Sequence, residues 1–109
     1  MYLNTNKTKY QIIPAKSFLK RLFGLMGKRN IDYGILFPKC NSIHTFFMKE
    51  NIDIIGLDEN KEVIYKYENL PKNKIIKINN ERKNTSILEM PQNSTKKIRI
   101  GTILILEND

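Results

Sequence analysis

Apolar and polar positions alternate in short stretches along the chain, and the elements they predict are mostly strands. Tyr10–Ala15 (YQIIPA) reads as a strand closed by Pro14, which cannot donate to a β-ladder. Ser17 can cap a helix over Phe18–Met26, since Phe18, Leu22, Leu25 and Met26 recur at helical spacing while Lys20 and Arg21 lie off that face. Gly24 weakens this helix and Gly27 ends it. Gly34–Pro38 (GILFP) is a short buried strand. His44–Met48 (HTFFM) alternates as a strand does, with His44, Phe46 and Met48 on one side and Thr45 and Phe47 on the other. Asp53–Asp58 and Glu62–Tyr67 flank Glu59-Asn60-Lys61 and predict a β-hairpin, Asn60 tolerating the left-handed turn. Lys74–Ile78 and Thr85–Met90 are further strands. Asn93 or Ser94 can cap one helical turn, and Thr102–Glu107 (TILILE) reads as a continuous strand buried on both faces. The first eight residues are polar and expected to be loose.

About seven short strands and one helix predict a mainly β fold: a small antiparallel β-sandwich or barrel with one short α-helix. A length of 109 residues predicts a single domain, 1–109, with one core. The abundance of Ile, with five Tyr and five Phe, points the same way. Nineteen Lys and Arg against eleven Asp and Glu leave a net charge of +8, which could attract nucleic acid. The basic residues are scattered, however, and the densest group, Lys96, Lys97 and Arg99, has no interleaved aromatic residue. Abundant Lys, Asn and Ile together read as compositional drift, so specific nucleic-acid binding is not expected. No signal-peptide-like run opens the chain and no stretch approaches the ~20 apolar residues that span a bilayer. With one cysteine and no internal disulfide, a cytoplasmic protein without a membrane span is expected.

Candidate chemistry gathers in PKCNSIHTFFMKE (Pro38–Glu50), which holds the chain's lone Cys and lone His. Cys40 and His44 could form a nucleophile–base pair, with Asp53 or Asp58 orienting the imidazole. The simpler reading makes Cys40 a small buried hydrophobe, and His44 a side chain bonded to a backbone carbonyl. Cys40, His44 and Met48 are soft metal ligands, but a closed zinc site needs a fourth and there is no other Cys or His. No metal and no cofactor are therefore expected. Asp53 and Asp58 have the odd spacing that sends side chains to opposite faces, and Asp58 reads as a turn residue. Arg21, Asp53 and Glu89 could each enter a buried ion pair. GLMG (Gly24–Gly27) lacks the spacing of a phosphate loop and reads as helix packing.

Three blocks carry a family likeness: RLFGLMGK (Arg21–Lys28), CNSIHTFFMKENIDIIGLDENKEVI (Cys40–Ile64) and SILEMPQNSTKKIRIGTIL (Ser86–Leu104). In order and spacing they resemble the domain of unknown function 192 family, in the branch with the pattern C-x-S-I-H-T-F-x-M, then I-D, L-D and L-E-x-P. The positions matching it are Arg21, Gly24, Leu25, Cys40, His44, Thr45, Met48, Asp53, Asp58, Glu89 and Pro91. The resemblance implies a compact, mostly antiparallel, jelly-roll-like β domain and brings no established activity with it. Four departures stand out. Glu50-Asn51 replaces a Phe-Pro pair, Lys61 a hairpin glycine, and Gly101-Thr102 a Gly-Asp. Gln92-Asn93 displaces a glycine, with Asn93 the best non-Gly substitute for a left-handed position.

No catalytic set survives this reading. The expectation is a small soluble binding or accessory module, monomeric or weakly dimeric, for an unknown small molecule or protein. The ligand cleft would be lined by Arg21, His44, Thr45, Asp53 and Glu89, the polar groups able to converge. The alternatives are a Cys/His enzyme, a hydrolase or transferase using Cys40 as a reactive thiol, and a basic nucleic-acid-binding protein.

Overall fold

In a computed structural model, residues 1–5, 7–17, 24–78 and 84–108 are described. They form eight strands: β1 (Tyr2–Thr5), β2 (Thr8–Pro14), β3 (Gly34–Phe37), β4 (Ser42–His44), β5 (Ile52–Leu57), β6 (Val63–Leu70), β7 (Ile75–Lys77) and β8 (Ser86–Pro91). Six build one curled sheet in the order β1-β2-β3-β8-β5-β6, and β4 and β7 pair separately. The fold is mainly β, and all neighbours are antiparallel except β2 and β3, which run parallel in the register Ile12↔Gly34 to Pro14↔Leu36.

The central strands β3, β5 and β8 are buried along their whole length, as in a sheet covered on both sides, and their apolar runs are broken only by Asp53, Ser86 and Glu89. One face carries Ile12, Leu36, Ile55, Leu57, Leu88 and Met90, sealed by Leu3, Ile98 and Leu104. The other carries Ile35, Phe37, Ile52, Ile54 and Ile87, sealed by Leu25, Met48 and Ile78, with Ile43 of β4 and Ile76 of β7 packed on them. The β5–β6 hairpin forms as the pattern predicts. Asp58 Oδ1 accepts the amides of Asn60 and Glu62, both at 2.9 Å, which makes it the expected turn residue. The left-handed residue of that turn is Lys61 (φ 64) rather than Asn60.

Several expectations are corrected. Among the described residues of the first eight, Tyr2–Thr5 is not loose, for it pairs with Thr8–Gln11 and Leu3 is buried. The helix over Phe18–Met26 falls mostly outside the described residues, and its last part is a turn. Gly24 (φ 51) and Gly27 (φ 75) take left-handed conformations no helix interior allows, and no helix occurs among the described residues. HTFFM is not a strand beyond His44, because Thr45–Met48 close a turn with Phe47 at φ 63. No helix forms at Asn93 or Ser94: the stretch makes two separate turns, Ser94 N–H to the Pro91 carbonyl (3.2 Å) and Ile98 N–H to the Thr95 carbonyl (3.0 Å), while Asp53 accepts the amides of Asn93 and Thr95. TILILE is not buried on both faces. It ties the two ends of the curled sheet together through Tyr2↔Glu107 and Glu62↔Ile103, so Leu104 and the partly buried Leu106 face the core while Ile103 (62%) and Ile105 (76%) are exposed.

Candidate functional site

The residues singled out from the sequence do not converge on one cleft, and Arg21 lies outside the described residues. Glu89 pairs with Ile35 and Ile54, and Asp53 with Met90, which puts the two carboxyl groups on opposite faces of the sheet. Asp53 is fully buried and saturated. Its Oδ1 accepts the amides of Asn69 (2.9 Å) and Asn93 (3.1 Å), and its Oδ2 accepts the Thr95 amide (3.1 Å) and hydroxyl (2.6 Å). It therefore pins the end of β6 to the loop after β8. Glu89 is buried beneath the Gly24–Leu25 turn, where a Cβ on Gly24 would meet its Oε1 at 2.9 Å. Desolvation pushes its carboxyl up to about 7, against one favourable hydrogen bond from the Leu25 amide, and Oε1 has no partner among the described residues.

Cys40 and His44 are each half-buried, and each has its own partner. The Cys40 thiol donates to the Ser42 carbonyl (Sγ–O 3.1 Å), beside a polar depression of about 330 Å³ that Lys39, Asn84 and Thr85 also line. His44 Nδ1 accepts the Phe46 amide (3.2 Å) while its ring stacks on Phe46 at 5.1 Å. No hydrogen bond joins the thiol to the imidazole, and no group of three or more potential metal ligands occurs among the described residues.

Thr45 leads to a feature the sequence did not flag. Its hydroxyl, 1% exposed, donates to the Pro71 carbonyl (2.7 Å) and accepts the Lys74 amide (2.8 Å), and its own amide donates to the Lys74 carbonyl (2.9 Å). The Thr45 carbonyl accepts the amides of Met48 (3.3 Å) and Asn73 (3.2 Å), and the Phe47 carbonyl accepts the Gly27 amide (3.2 Å). Six hydrogen bonds thus hold a four-residue turn whose third position needs positive φ and normally takes Gly or Asn. Phe47 occupies it, 76% exposed. Nine non-Gly residues among those described have positive φ; five are Asn and three are Lys, and Phe47 is the one aromatic. A bulky side chain in this conformation costs roughly 1–2 kcal/mol.

Phe47 borders an open depression of about 680 Å³, within the 300–1,000 Å³ typical of ligand clefts. Met26 and Met48 form its apolar wall with Phe47, while Arg29, Lys49 and Lys72 bring charge from three separate loops. Sequence reasoning missed them because they lie about twenty residues apart and form no local motif. The Glu50 that departs from the family pattern also acts here, its Oε1 accepting the Ile31 amide (3.2 Å) and tying the Arg29 loop to the segment after Lys49.

The profile of DUF192, described as "Uncharacterized ACR", matches residues 1–104. The chain belongs to the DUF192 family. Curated relatives bear the name UPF0127 protein. One from Thermococcus sibiricus is 40% identical over 70 residues, covering 54% of this chain and 46% of the relative. Another, from Pyrococcus horikoshii, is 46% identical over 56 residues, covering 46% of this chain and 48% of the relative. The chain spans about half the length of the curated relatives it matches. Two crystal structures share the fold. A Novosphingobium aromaticivorans protein of unknown function superposes with TM-score 0.75 at 14% identity, covering 96% of this chain and 82% of that one. A putative transcription regulator of Sinorhizobium meliloti superposes with TM-score 0.75 at 18% identity, covering 95% and 89%. At such identities the likeness concerns architecture alone. Among the described residues of this DUF192 chain, no helix is long and apolar enough to cross a membrane.

Proposed function

We propose that this DUF192 chain is a small binding module, monomeric or weakly dimeric, whose ligand rests against Phe47 in the cleft beside the Thr45–Met48 turn. One observation carries the reading: a large apolar side chain is held exposed, on strained backbone, by six hydrogen bonds. Strain of this kind persists where the surroundings over-determine it, and it clusters at ligand clamps. Of the residues read from the sequence, Thr45 and His44 support this turn. Thr45 is its anchor, and His44 stacks on Phe46 at its entrance.

The test is Phe47→Gly, with a collection of soluble aromatic fragments followed by ligand-observed NMR. Glycine relieves the backbone strain, so the variant should unfold at equal or higher urea concentration. It should also lose the fragments that the parent chain binds. A variant that is less stable yet binds the same fragments would sink the proposal. The enzyme alternative rests on Cys40, half-buried beside its own depression. Rapid iodoacetamide labelling at pH 6 would favour it, and inertness until unfolding would count against it.

A further inference from the structure

Resting on that reading, we infer that the cleft beside Phe47 takes a small organic anion: a carboxylate or phosphate on an aromatic or aliphatic body. Arg29, Lys49 and Lys72 all line it, and no Asp or Glu does. Each of the three is exposed, and none makes an ion pair or side-chain hydrogen bond among the described residues. Two other cations are paired: Lys9 meets Glu107 at 3.6 Å, and Lys66 reaches Glu68 at 3.5 Å and the Ile98 carbonyl at 2.7 Å. Three like charges around one depression repel each other, and an anion seated between them relieves that repulsion while gaining attraction from all three. Arg29 adds a planar fork that fits a carboxylate or phosphate through two hydrogen bonds. The same lining has an apolar part, Met26, Phe47 and Met48, with Phe47 exposed and Met48 packed into the core. Charge and an exposed ring in one lining select a ligand with both halves. A nucleic-acid strand fits less well, because successive bases need a groove with several stacking platforms. Here the cations share the lining of one depression with a single exposed aromatic ring.

The measurement is amide chemical-shift perturbation on the full chain in low salt. Four probes are used, each at about 10 mM, enough to populate a site of millimolar affinity: phenylacetate, phenyl phosphate, neutral phenylacetamide and inorganic phosphate. At least one of the two aromatic anions should move the amides of Gly27, Phe47, Lys49 and Asn73; which of them binds more tightly separates carboxylate from phosphate chemistry. Phenylacetamide and inorganic phosphate should bind far more weakly. Each of Arg29→Gln, Lys49→Gln and Lys72→Gln should weaken the favoured anion about twofold to fivefold, as expected for exposed ion pairs, and 0.3 M salt should do the same. If phenylacetamide binds as well as the anions, the charge inference falls while the binding module stands. Inorganic phosphate binding as tightly as phenyl phosphate would remove the apolar half of the inference. An affinity unchanged in the triple Gln variant also overturns it. Silence of the cleft amides to all four probes would overturn both readings.

Discussion

Glu89→Gln isolates the most unusual ionisable group of the fold. The Glu89 carboxyl is held at about 7 by burial, against 4.5 for an ordinary glutamate. Only the Leu25 amide offsets that desolvation, and Oε1 is unpartnered among the described residues. Burial therefore favours the neutral acid. Between pH 4.5 and 7 the folded chain keeps a proton that the unfolded chain has released, so stability falls as pH rises through this window. The contribution is complete below 4.5 and lost above about 7. At about 1.4 kcal/mol per pH unit this amounts to about 3 kcal/mol. Urea titrations at pH 5 and pH 8 should show the parent chain losing about 2 M in midpoint, for an m-value near 1.5 kcal/mol/M. Few other groups ordinarily titrate there, since the chain has one His. Glu89→Gln should flatten the dependence, and so should Glu89→Leu, which leaves no amide to satisfy. Equal losses in the parent and both variants would refute the assignment.

Asp53→Ala strands four donors in the interior and should cost about 3 kcal/mol in urea unfolding, with the 93–95 loop losing amide-exchange protection. Gly34→Ala forces a methyl to within 2.5 Å of Met90 Sδ and 3.0 Å of the Glu89 carbonyl, so about 1–3 kcal/mol of destabilisation is expected. Lys61→Gly places the preferred residue at φ 64 and should raise the urea midpoint, a gain of up to about 1 kcal/mol.

The β5–β6 hairpin and the central strands β3 and β8 were legible because short apolar runs bounded by turn residues speak for themselves. Asp58 as a turn residue was legible for the same local reason, and Asn93 (φ 65) in a left-handed position was implied by the family resemblance. HTFFM misled because its alternation is real but its backbone is set from outside, by the 71–74 segment bonding to Thr45. TILILE misled because composition cannot show that a segment crosses two sheet edges with one side in solvent. Asp53 and Glu89 were both recognised as inward-facing candidates. Which face each took depended on the pairing of β5 with β8, a contact across more than thirty residues of chain. The cleft was invisible for a related reason: Arg29, Lys49 and Lys72 meet only after three loops are folded.

The position of β8 between β3 and β5 bears on how this chain is made. A ribosome delivers residues in order, so β3 and β5 emerge well before the strand that joins them. Until Ser86–Pro91 is available, both present largely apolar strands with an open edge. Such edges template wrong pairings between nascent chains. The β5–β6 hairpin can close on its own, but the centre of the sheet must wait for residues translated some fifty positions after β3. Long-range closure of this sort is slow. Temperature and expression rate should therefore govern the soluble yield of this protein more strongly than its final stability does.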